Sequence, residues 1–587
     1  MSPVKVALHY LKPKAIVGCC RLAMAHHRTA MFASWQPLLI VLLAPLTCLA
    51  TCGNRPIAST PLGQVLGSTL TTLDGKNFSA FRGIRYAKAP VGDLRFKPPS
   101  PVDAWDGILN ATVDGPWCPQ ADRPNGSEDC LFLNVYTSQL PDKRSRPKKP
   151  VLIFFHPGGF YSMRATSDLF GPEYLMDEDI VLLTANYRLG ALGFLSTGDS
   201  IMPGNYGFKD QVEVLRWVQK NIAAFGGDPE SVTICGYSAG SISVLLHMLS
   251  TMSKGLFHRA IAMSGGVQSI VLHDPLGQAK KQAQLLKCPD SSSEEIYNCL
   301  KEKDAQEIAD SITGFYEFVY DPILIYKATI EKDYGNGAER FLTEDPTKQF
   351  LSGNFTHVPL MTGSTKDEFS WKALQVLAND SAAEEMTEHY EKIFPICFLY
   401  EQNTEHSHTI SKNLRSFYLH NQTITNNTRN ELGKLYADSI TIFPVYRPAQ
   451  ILSKINTFPV YYYQFTYQGR YSWVDAPGTT TPYGVVHHDD LIYLFYISTL
   501  FPFFNKDDPE YITVKRMTKM WSNFAKSGNP TSEKDGTVNV DWKPLTASQK
   551  QYMEIGSQLT MKKGLYYYDR MSEWSKLFPL PCVSVHK

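Results

Sequence analysis

After residue 50, short apolar runs rich in β-branched and aromatic residues alternate with stretches of helical periodicity. Six runs are predicted strands: 151–155, 180–187, 232–236, 260–265, 358–363 and 460–465. Between the second and third of them, apolar residues recur at helical spacing, at Val212, Leu215, Val218 and Ile222. Gly226 and Gly227 follow, as expected at a helix end. Strands that alternate with helices form a largely parallel sheet with helices on both faces, so an α/β fold is expected.

A single domain is expected to occupy residues 51–587. No linker rich in proline, glycine or serine divides this range, and no internal repeat is present. The segment from about 270 to 350 has a less regular pattern than its neighbours. We expect it to be an insertion that covers a ligand site.

Residues 1–50 have the features of a secretory leader. Residues 37–50, PLLIVLLAPLTCLA, form an uncharged apolar run of h-region length, too short to span a bilayer comfortably. A small-x-small cleavage site at 48–50 would make Thr51 the first residue of the mature chain, with Met24 or Met31 as alternative starts. Secretion is therefore expected, and retention in the secretory lumen or an uncleaved signal anchor are the alternatives. No later segment is apolar enough to predict a membrane span.

Glycosylation motifs agree with export. Asn-x-Ser/Thr occurs at seven positions, Asn77, Asn110, Asn125, Asn354, Asn379, Asn421 and Asn426. Asn529 is excluded because proline follows it.

Eight cysteines follow residue 50, and the first of them, Cys52, lies just after the expected cleavage site. Cys118 with Cys130, and Cys288 with Cys299, close short loops, and in an oxidising compartment this spacing predicts two local disulfides. Cys235 lies in an apolar strand and is expected to be a buried thiol. Cys397 and Cys582 stay unassigned. No spacing is typical of a zinc site, so neither a metal nor a cofactor is expected.

The charge balance bears on the partner. Lys plus Arg and Asp plus Glu both number 57, which gives a formal net charge of zero. A nucleic-acid partner is not expected for such a chain. The sequence does not predict an oligomeric state.

The stretch TICGYSAGSIS, residues 233–243, places Ser238 at the centre of Gly-x-Ser-x-Gly. The pentapeptide alone is weak evidence for a nucleophile, because a structural serine in a glycine-rich turn matches it equally well. Its context is more specific, since a buried strand ends just before Ser238 and a helix begins just after it. Strand, sharp turn and helix are the setting of a nucleophilic serine. Gly236 and Gly240 are expected where the two backbones approach too closely for larger side chains.

A nucleophilic serine also needs hydrogen-bond donors for an oxyanion. In FFHPGGFYS, residues 154–162, a strand ends and a turn exposes the backbone N–H groups of Gly158 and Gly159. The N–H of Ala239 is a third candidate donor. Pro157 has no N–H, but it precedes the two glycines.

The catalytic base and acid are expected beyond later strands, in the order serine, acid, histidine. YGVVHHDDLIYLF, residues 483–495, offers His487 and His488 as bases. VPLMTGSTKDEFSW offers Asp367 and Glu368 as acids. The residues by themselves leave both choices open.

Longer stretches together resemble the type-B carboxylesterases, the family that includes the cholinesterases. They are FRGIRYAKAPVGDLRFKPP (81–99), SEDCLFLNVYT (127–137), NYRLGALGFLS (186–196), the segment 204–241 around Ser238, and GVVHHDDLIYLF (484–495). The resemblance covers about residues 57–575 and is greatest to insect carboxylesterases and juvenile hormone esterases. It implies an α/β-hydrolase fold and hydrolysis of a small-molecule ester through an acyl-enzyme.

The resemblance also implies the role of single residues. Ser238 matches the nucleophile, Glu368 the acid and His487 the base, which leaves Asp367 and His488 as neighbours. The oxyanion-hole positions fall on Gly158, Gly159 and Ala239. The family's two early disulfides match Cys118–Cys130 and Cys288–Cys299, whereas a Cys397–Cys582 bond stays open.

Three positions depart from the family pattern. Tyr237 stands where the family has glutamate and juvenile hormone esterases have glutamine, which puts juvenile hormone as a substrate in doubt. Pro157 replaces the first glycine of the oxyanion turn, and Arg85 replaces a proline. The loop between Cys118 and Cys130 contains no tryptophan, so choline esters, which need a cation–π contact there, are not expected.

Two alternatives remain beside a general carboxylesterase. Non-catalytic adhesion or binding proteins share this fold, but they lack a member of the triad, whereas this chain keeps all three. A juvenile hormone esterase, a lipase or a slow, sequestering esterase would differ only in substrate and rate.

Overall fold

The computed structural model describes residues 55–121 and 123–581. Backbone contacts divide the chain into two units, Met1–Arg55 and Pro56–Lys587, and the fold below is that of the second. The expected leader with its apolar run at 37–50, the cleavage site before Thr51, and Cys582 all lie outside the described residues.

The described residues contain fourteen strands. They are β1 (Ile57–Thr60), β2 (Gly63–Leu66), β3 (Ser68–Thr71), β4 (Asn77–Arg85), β5 (Ile108–Asn110), β6 (Phe132–Thr137), β7 (Lys149–Phe155), β8 (Val181–Ala185), β9 (Gly227–Tyr237), β10 (Arg259–Met263), β11 (Leu360–Thr365), β12 (Val460–Phe465), β13 (Gln551–Ile555) and β14 (Leu559–Lys563).

Eleven of these strands form one sheet in the order β14-β13-β12-β11-β10-β9-β7-β8-β6-β4-β3. The central strands from β8 to β13 run parallel, and the pairs at both ends of the sheet are antiparallel. β1, β2 and β5 form a separate three-stranded sheet. The largely parallel sheet expected from the sequence is thus confirmed, with β9 near its middle.

The described residues contain fifteen α-helices. They are α1 (Gly190–Phe194), α2 (Tyr206–Asn221), α3 (Ala239–Leu249), α4 (Pro275–Leu285), α5 (Ser293–Glu302), α6 (Ala305–Asp310), α7 (Pro346–Ser352), α8 (Lys372–Leu377), α9 (Asp380–Glu388), α10 (Tyr390–Phe398), α11 (Glu405–Leu419), α12 (Arg429–Ala437), α13 (Phe443–Ile455), α14 (Tyr511–Ser527) and α15 (Tyr568–Leu577).

All six predicted strands are present, and 460–465 has the same bounds as β12. The helix predicted from its apolar spacing is α2, and the four residues that define the spacing are fully buried. A single 3₁₀ turn, Ile222–Phe225, follows α2, and Gly226 has a φ of 83°. This is the left-handed conformation that glycine adopts after a helix.

Two insertions follow neighbouring parallel strands. α4 to α7 lie between β10 and β11, in the irregular segment that the sequence predicted to be an insertion. α8 to α13 lie between β11 and β12 and form a second insertion, which the sequence analysis did not identify.

Both predicted disulfides are present, and the glycosylation motifs lie at the surface. The structure contains the Cys118–Cys130 and Cys288–Cys299 disulfides, and Cys235 and Cys397 are buried free thiols. All seven asparagines of the glycosylation motifs are exposed. Within 55–121 and 123–581, no helix has both the length and the apolarity to cross a bilayer.

A buried ion pair joins the sheet to α2. The Nη2 of Arg188, which follows β8, lies 2.7 Å from the Oδ1 of Asp210 on α2, and its Nε donates to Oδ2 over 2.8 Å. The backbone N–H of Arg188 donates to the same Oδ2. Both side chains are at most 4% exposed, so each charge depends on the other for compensation.

We expect Asp210→Ala to lower the free energy of unfolding by about 3–5 kcal/mol, because it leaves the Arg188 guanidinium buried without a counter-charge. The matched control is Glu339→Ala, which removes the partner of Arg216 on the same helix at an exposed ion pair. That change is expected to cost about 0–1 kcal/mol. Urea unfolding measures both, and equal losses would contradict the role given to the buried pair.

Candidate active site

Ser238 lies on the sharp turn between β9 and α3. Its φ of 53° and ψ of −116° fall in a region that residues other than glycine rarely adopt. Its N–H donates to the carbonyl of Met263 on the neighbouring strand β10 over 2.8 Å, and its carbonyl accepts from Ile242 over 2.9 Å. The turn is therefore held from both sides, with the serine at the N-terminus of α3.

Two glycines allow this turn, as the sequence predicted. A Cβ on Gly236 would lie 2.1 Å from the carbonyl oxygen of Gly240. A Cβ on Gly240 would lie 2.0 Å from the carbonyl oxygen of Phe155, at the end of β7. Neither neighbour is a flexible side chain, so only glycine fits at the two positions.

A buried carboxylate–imidazole contact lies beside this turn. The Nδ1 of His487 is 2.5 Å from the Oε2 of Glu368. The other oxygen, Oε1, accepts from the hydroxyl of Ser264 over 2.8 Å and from the N–H of Thr365 over 2.7 Å. The N–H of His487 also donates to the carbonyl of Glu368 over 3.0 Å. Side chains and backbone thus fix the histidine loop against the end of β11.

The structure separates the two alternatives that the residues left open. Asp367 does not reach either histidine; its Oδ2 accepts from the N–H of Val485 and anchors the histidine loop. His488 lines the same cavity as His487, but among the described residues its ring contacts no carboxylate, whereas the Nδ1 of His487 contacts Glu368. The geometry therefore pairs Glu368 with His487, as the family resemblance implied.

Burial shifts the pKa values of His487 and Glu368 in opposite directions. It lowers the pKa of His487 well below 6.5, which favours the neutral imidazole that a base requires. It raises the pKa of Glu368 to about 8, and the hydrogen bonds from Ser264 and Thr365 oppose this shift. The ionised carboxylate therefore depends on those two donors.

Ser238, His487 and the oxyanion candidates Gly158, Gly159 and Ala239 line one cavity of about 200 Å³. The Nε2 of His487 is buried and has no hydrogen-bond partner in the described part of the chain, so the bond to Ser238 is not formed in this structure. Such bonds commonly tighten only when a substrate is bound. The free Nε2 is the nitrogen that a base would use.

The Gly158–Gly159 turn presents backbone donors to this cavity. The two residues have φ values of 118° and 60°, and a Cβ on Gly158 would lie 2.0 Å from the carbonyl oxygen of Ser162. The N–H groups of Gly158, Gly159 and Ala239 donate to no other described residue. Pro157 precedes the two glycines, and its carbonyl accepts from the Nδ1 of His156 over 2.7 Å.

Tyr237 occupies the position where the sequence departs most from its resemblance. It is fully buried, and its hydroxyl accepts from the N–H of His488 over 2.8 Å. Its ring centroid lies 5.0 Å from that of His487. Tyr237 therefore holds the histidine loop in place through this hydrogen bond and this ring contact. At another departure, Arg85, the last residue of β4, forms an ion pair with Asp129.

Sequence reasoning missed Ser264, Thr365 and the role of Tyr237. Ser264 follows β10, the neighbour of β9, and Thr365 ends β11, the next strand beyond β10. The contact of Ser264 with Glu368 was visible only once the strand order was known.

The cavity walls are mainly apolar. They come from both insertions and from the last helix, and include Ile323, Leu324, Phe398, Leu399, Trp574 and Phe578. The described residues contain no cluster of histidine, cysteine, aspartate or glutamate that could hold a metal ion. One cavity thus brings together the groups needed for acyl transfer: a strained serine, a buried imidazole with a free Nε2, and unpaired N–H groups.

Comparison with known proteins finds esterases among the relatives of this chain. Residues 54–574 match the model of the carboxylesterase family. The chain is 36% identical over 525 residues to a juvenile hormone esterase of Tribolium castaneum, covering 86% of this chain and 88% of that protein. It is 35% identical over 555 residues to esterase FE4 of Myzus persicae, covering 89% and 95%. A crystal structure of the juvenile hormone esterase from Manduca sexta with OTFP covalently attached matches with a TM-score of 0.79 at 28% identity, over 89% of this chain and 99% of that one.

We expect Ser264→Ala to shift the low-pH limb of serine reactivity upward. Losing the hydroxyl removes a donor to Glu368, so the pKa of Glu368 rises and its carboxylate forms only at higher pH. A charge-assisted hydrogen bond corresponds to about one pH unit. The measurement is the rate at which a fluorophosphonate probe labels Ser238 as a function of pH.

The matched control is Ser439→Ala, which removes a hydroxyl that lines the same cavity and donates instead to the carbonyl of Tyr436. Its pH midpoint is expected to match the unsubstituted protein. A uniform loss of rate in Ser264→Ala at every pH, with an unchanged midpoint, would show that Ser264 has a structural role only.

Proposed function

The chain belongs to the carboxylesterase family of serine hydrolases, and we propose that it hydrolyses esters with an apolar body through an acyl-enzyme on Ser238. One observation carries the proposal. The 2.5 Å contact between Glu368 and His487 lies at the wall of the cavity that Ser238 and the Gly158–Gly159 turn also line.

In the proposed first step, the Nε2 of His487 takes the proton of the Ser238 hydroxyl as its oxygen attacks the ester carbonyl carbon. The carboxylate of Glu368 accepts from Nδ1–H and stabilises the imidazolium that forms. The N–H groups of Gly158, Gly159 and Ala239 bind the oxyanion, and each such donor lowers the barrier by about 3 kcal/mol. The imidazolium then protonates the leaving alkoxide, which departs as the alcohol.

The second step releases the acid. His487 removes a proton from water as the water oxygen attacks the acyl carbon, and the tetrahedral intermediate again places its negative oxygen at the three N–H groups. Collapse of this intermediate breaks the bond to Ser238, which regains its proton from His487. No other group has to exchange a proton or an electron in this cycle.

The cavity walls support an apolar substrate. A volume of about 200 Å³ lined mainly by aliphatic and aromatic side chains favours an apolar acyl or alcohol portion next to the serine. Relatives include juvenile hormone esterases and aphid esterases, so juvenile hormone belongs in a substrate panel beside simple esters of graded acyl length. The intact triad and oxyanion turn favour an enzyme over a non-catalytic binding protein.

We expect Ser238→Ala to lower hydrolysis of p-nitrophenyl butyrate by about 10⁴-fold or more, because the residual rate then comes from binding and the oxyanion donors alone. Thr441→Val is the matched control, since it removes another hydroxyl from the cavity wall at constant shape. Hydrolysis is expected to stay within about threefold in that control. Unchanged turnover in Ser238→Ala would refute the proposed nucleophile.

We further propose that the protein is exported through the secretory pathway and glycosylated. The two disulfides and the exposure of all seven glycosylation asparagines support this proposal. The leader at residues 1–50 supplies the expected signal.

Expression in cultured insect cells is expected to place the enzyme in the medium, with a mass that falls after peptide N-glycosidase treatment. A variant without residues 37–50 is expected to stay inside the cells without glycans. An unglycosylated full-length protein that accumulates in the cytosol would overturn the assignment.

A further inference from the structure

A second, larger cavity adjoins the active site. Its volume is about 540 Å³. It shares five lining residues with the active-site cavity, Gln268, Ser269, Leu324, Leu399 and Phe578. A molecule that leaves the catalytic serine on this side would therefore enter the second cavity next.

Two cations from different insertions line the second cavity. Lys327 belongs to the insertion between β10 and β11, and Arg447 lies on α13 in the insertion between β11 and β12. Backbone hydrogen bonds of the next residue, Ala328, to Ile270 and Leu272 fix the position of the lysine. Arg447 is fixed by a 3.0 Å bond from its Nη1 to the Oε1 of Gln268.

Neither cation has a carboxylate partner in the described part of the chain. Arg447 is only 9% exposed, and besides Gln268 it contacts the ring of Phe443, with its Cζ 4.6 Å from the centroid. Desolvation lowers the pKa of Lys327 to about 8 and that of Arg447 to about 10, and no neighbouring acid opposes either shift. A desolvated charge without a counter-ion is costly unless an anion binds to it.

The acids of the same cavity do not fill this role. Glu317 and Glu401 are exposed, and Glu401 pairs with His406 over 2.6 Å. Asp345 is engaged at the start of α7, where its Oδ1 accepts from the N–H of Lys348. Lys348 itself is exposed, so the less exposed positive charges of the cavity are those of the half-buried Lys327 and the buried Arg447.

We propose that the Lys327–Arg447 cavity binds the carboxylate at the far end of an ester whose other end reacts with Ser238. The proposal rests on the proposed function, and it narrows the substrate class to esters with an apolar body and a remote acid group. A planar carboxylate matches the donor geometry of the Arg447 guanidinium, and the ammonium of Lys327 adds positive charge to the same cavity. The same chemistry would also hold the free acid that ester hydrolysis releases.

The test compares pairs of p-nitrophenyl esters with equal numbers of carbon atoms. Monoesters of succinate, adipate and suberate carry the remote carboxylate, and butyrate, hexanoate and octanoate esters are their neutral counterparts. The measured quantity is the ratio of kcat/KM between the two members of each pair. Isothermal titration calorimetry with adipate alone measures carboxylate binding without any turnover.

In Lys327→Met and in Arg447→Met, the ratio is expected to fall about tenfold at the chain length that fits, since each variant removes a charge-assisted hydrogen bond. Turnover of the neutral esters is expected to change less than twofold. Arg447→Lys keeps the charge and is expected to retain most of the ratio. The control is Lys454→Met, an exposed residue on the same helix that does not line the cavity.

The outcomes distinguish the possible occupants of the cavity. A lower kcat/KM ratio in the two methionine variants supports an acid-ended substrate. An unchanged ratio with about tenfold weaker adipate binding in those variants identifies the released acid as the occupant. Equal ratios and equal adipate binding in all variants would overturn the site. Absence of all ester turnover would instead refute the proposed function, and the calorimetry would still test the cavity.

Discussion

The close approach of β9 to α3 determines where every reacting group must lie. Because Gly236 and Gly240 bring the two backbones within contact, the chain reverses in a single strained residue, and that residue is Ser238. The strands on either side of β9 run parallel to it, so their carboxyl ends open on the same edge. The oxyanion turn follows β7, Ser264 follows β10 and Glu368 follows β11. The site is thus assembled from loops that the parallel sheet delivers to one place.

Burial of the Glu368–His487 pair gives the site its electrostatic character. Removing the imidazole from water favours its neutral form, which a general base needs at neutral pH. The same burial opposes ionisation of the carboxyl group, and hydrogen bonds from Ser264 and Thr365 act against that effect. Tyr237 then holds the histidine loop through the N–H of His488. The residues that contact the triad therefore determine its geometry and its protonation.

Local patterns predicted much of this arrangement. The central strands and α2 follow from apolar runs and helical spacing, because those residues are buried on every side or on one clear face. The short outer strands were missed, since a strand such as β3 alternates partly buried and exposed residues over only four positions.

At the site, the turn around Ser238 was predictable from its two glycines. The choice of Glu368 over Asp367 needed the family resemblance, and Ser264 needed the order of strands in the sheet. The second insertion, with Arg447 on α13, has helical patterns but no local signal of what it covers.

The central claim is that Ser238 carries the acyl group during hydrolysis. The most direct measurement is acid quenching within milliseconds of mixing the enzyme with excess p-nitrophenyl butyrate, followed by mass spectrometry of its proteolytic peptides. A butyryl group is expected on the peptide that contains Ser238, in an amount that matches the first burst of p-nitrophenol. Release of p-nitrophenol with no acylated peptide, or with the acyl group on another residue, would contradict it.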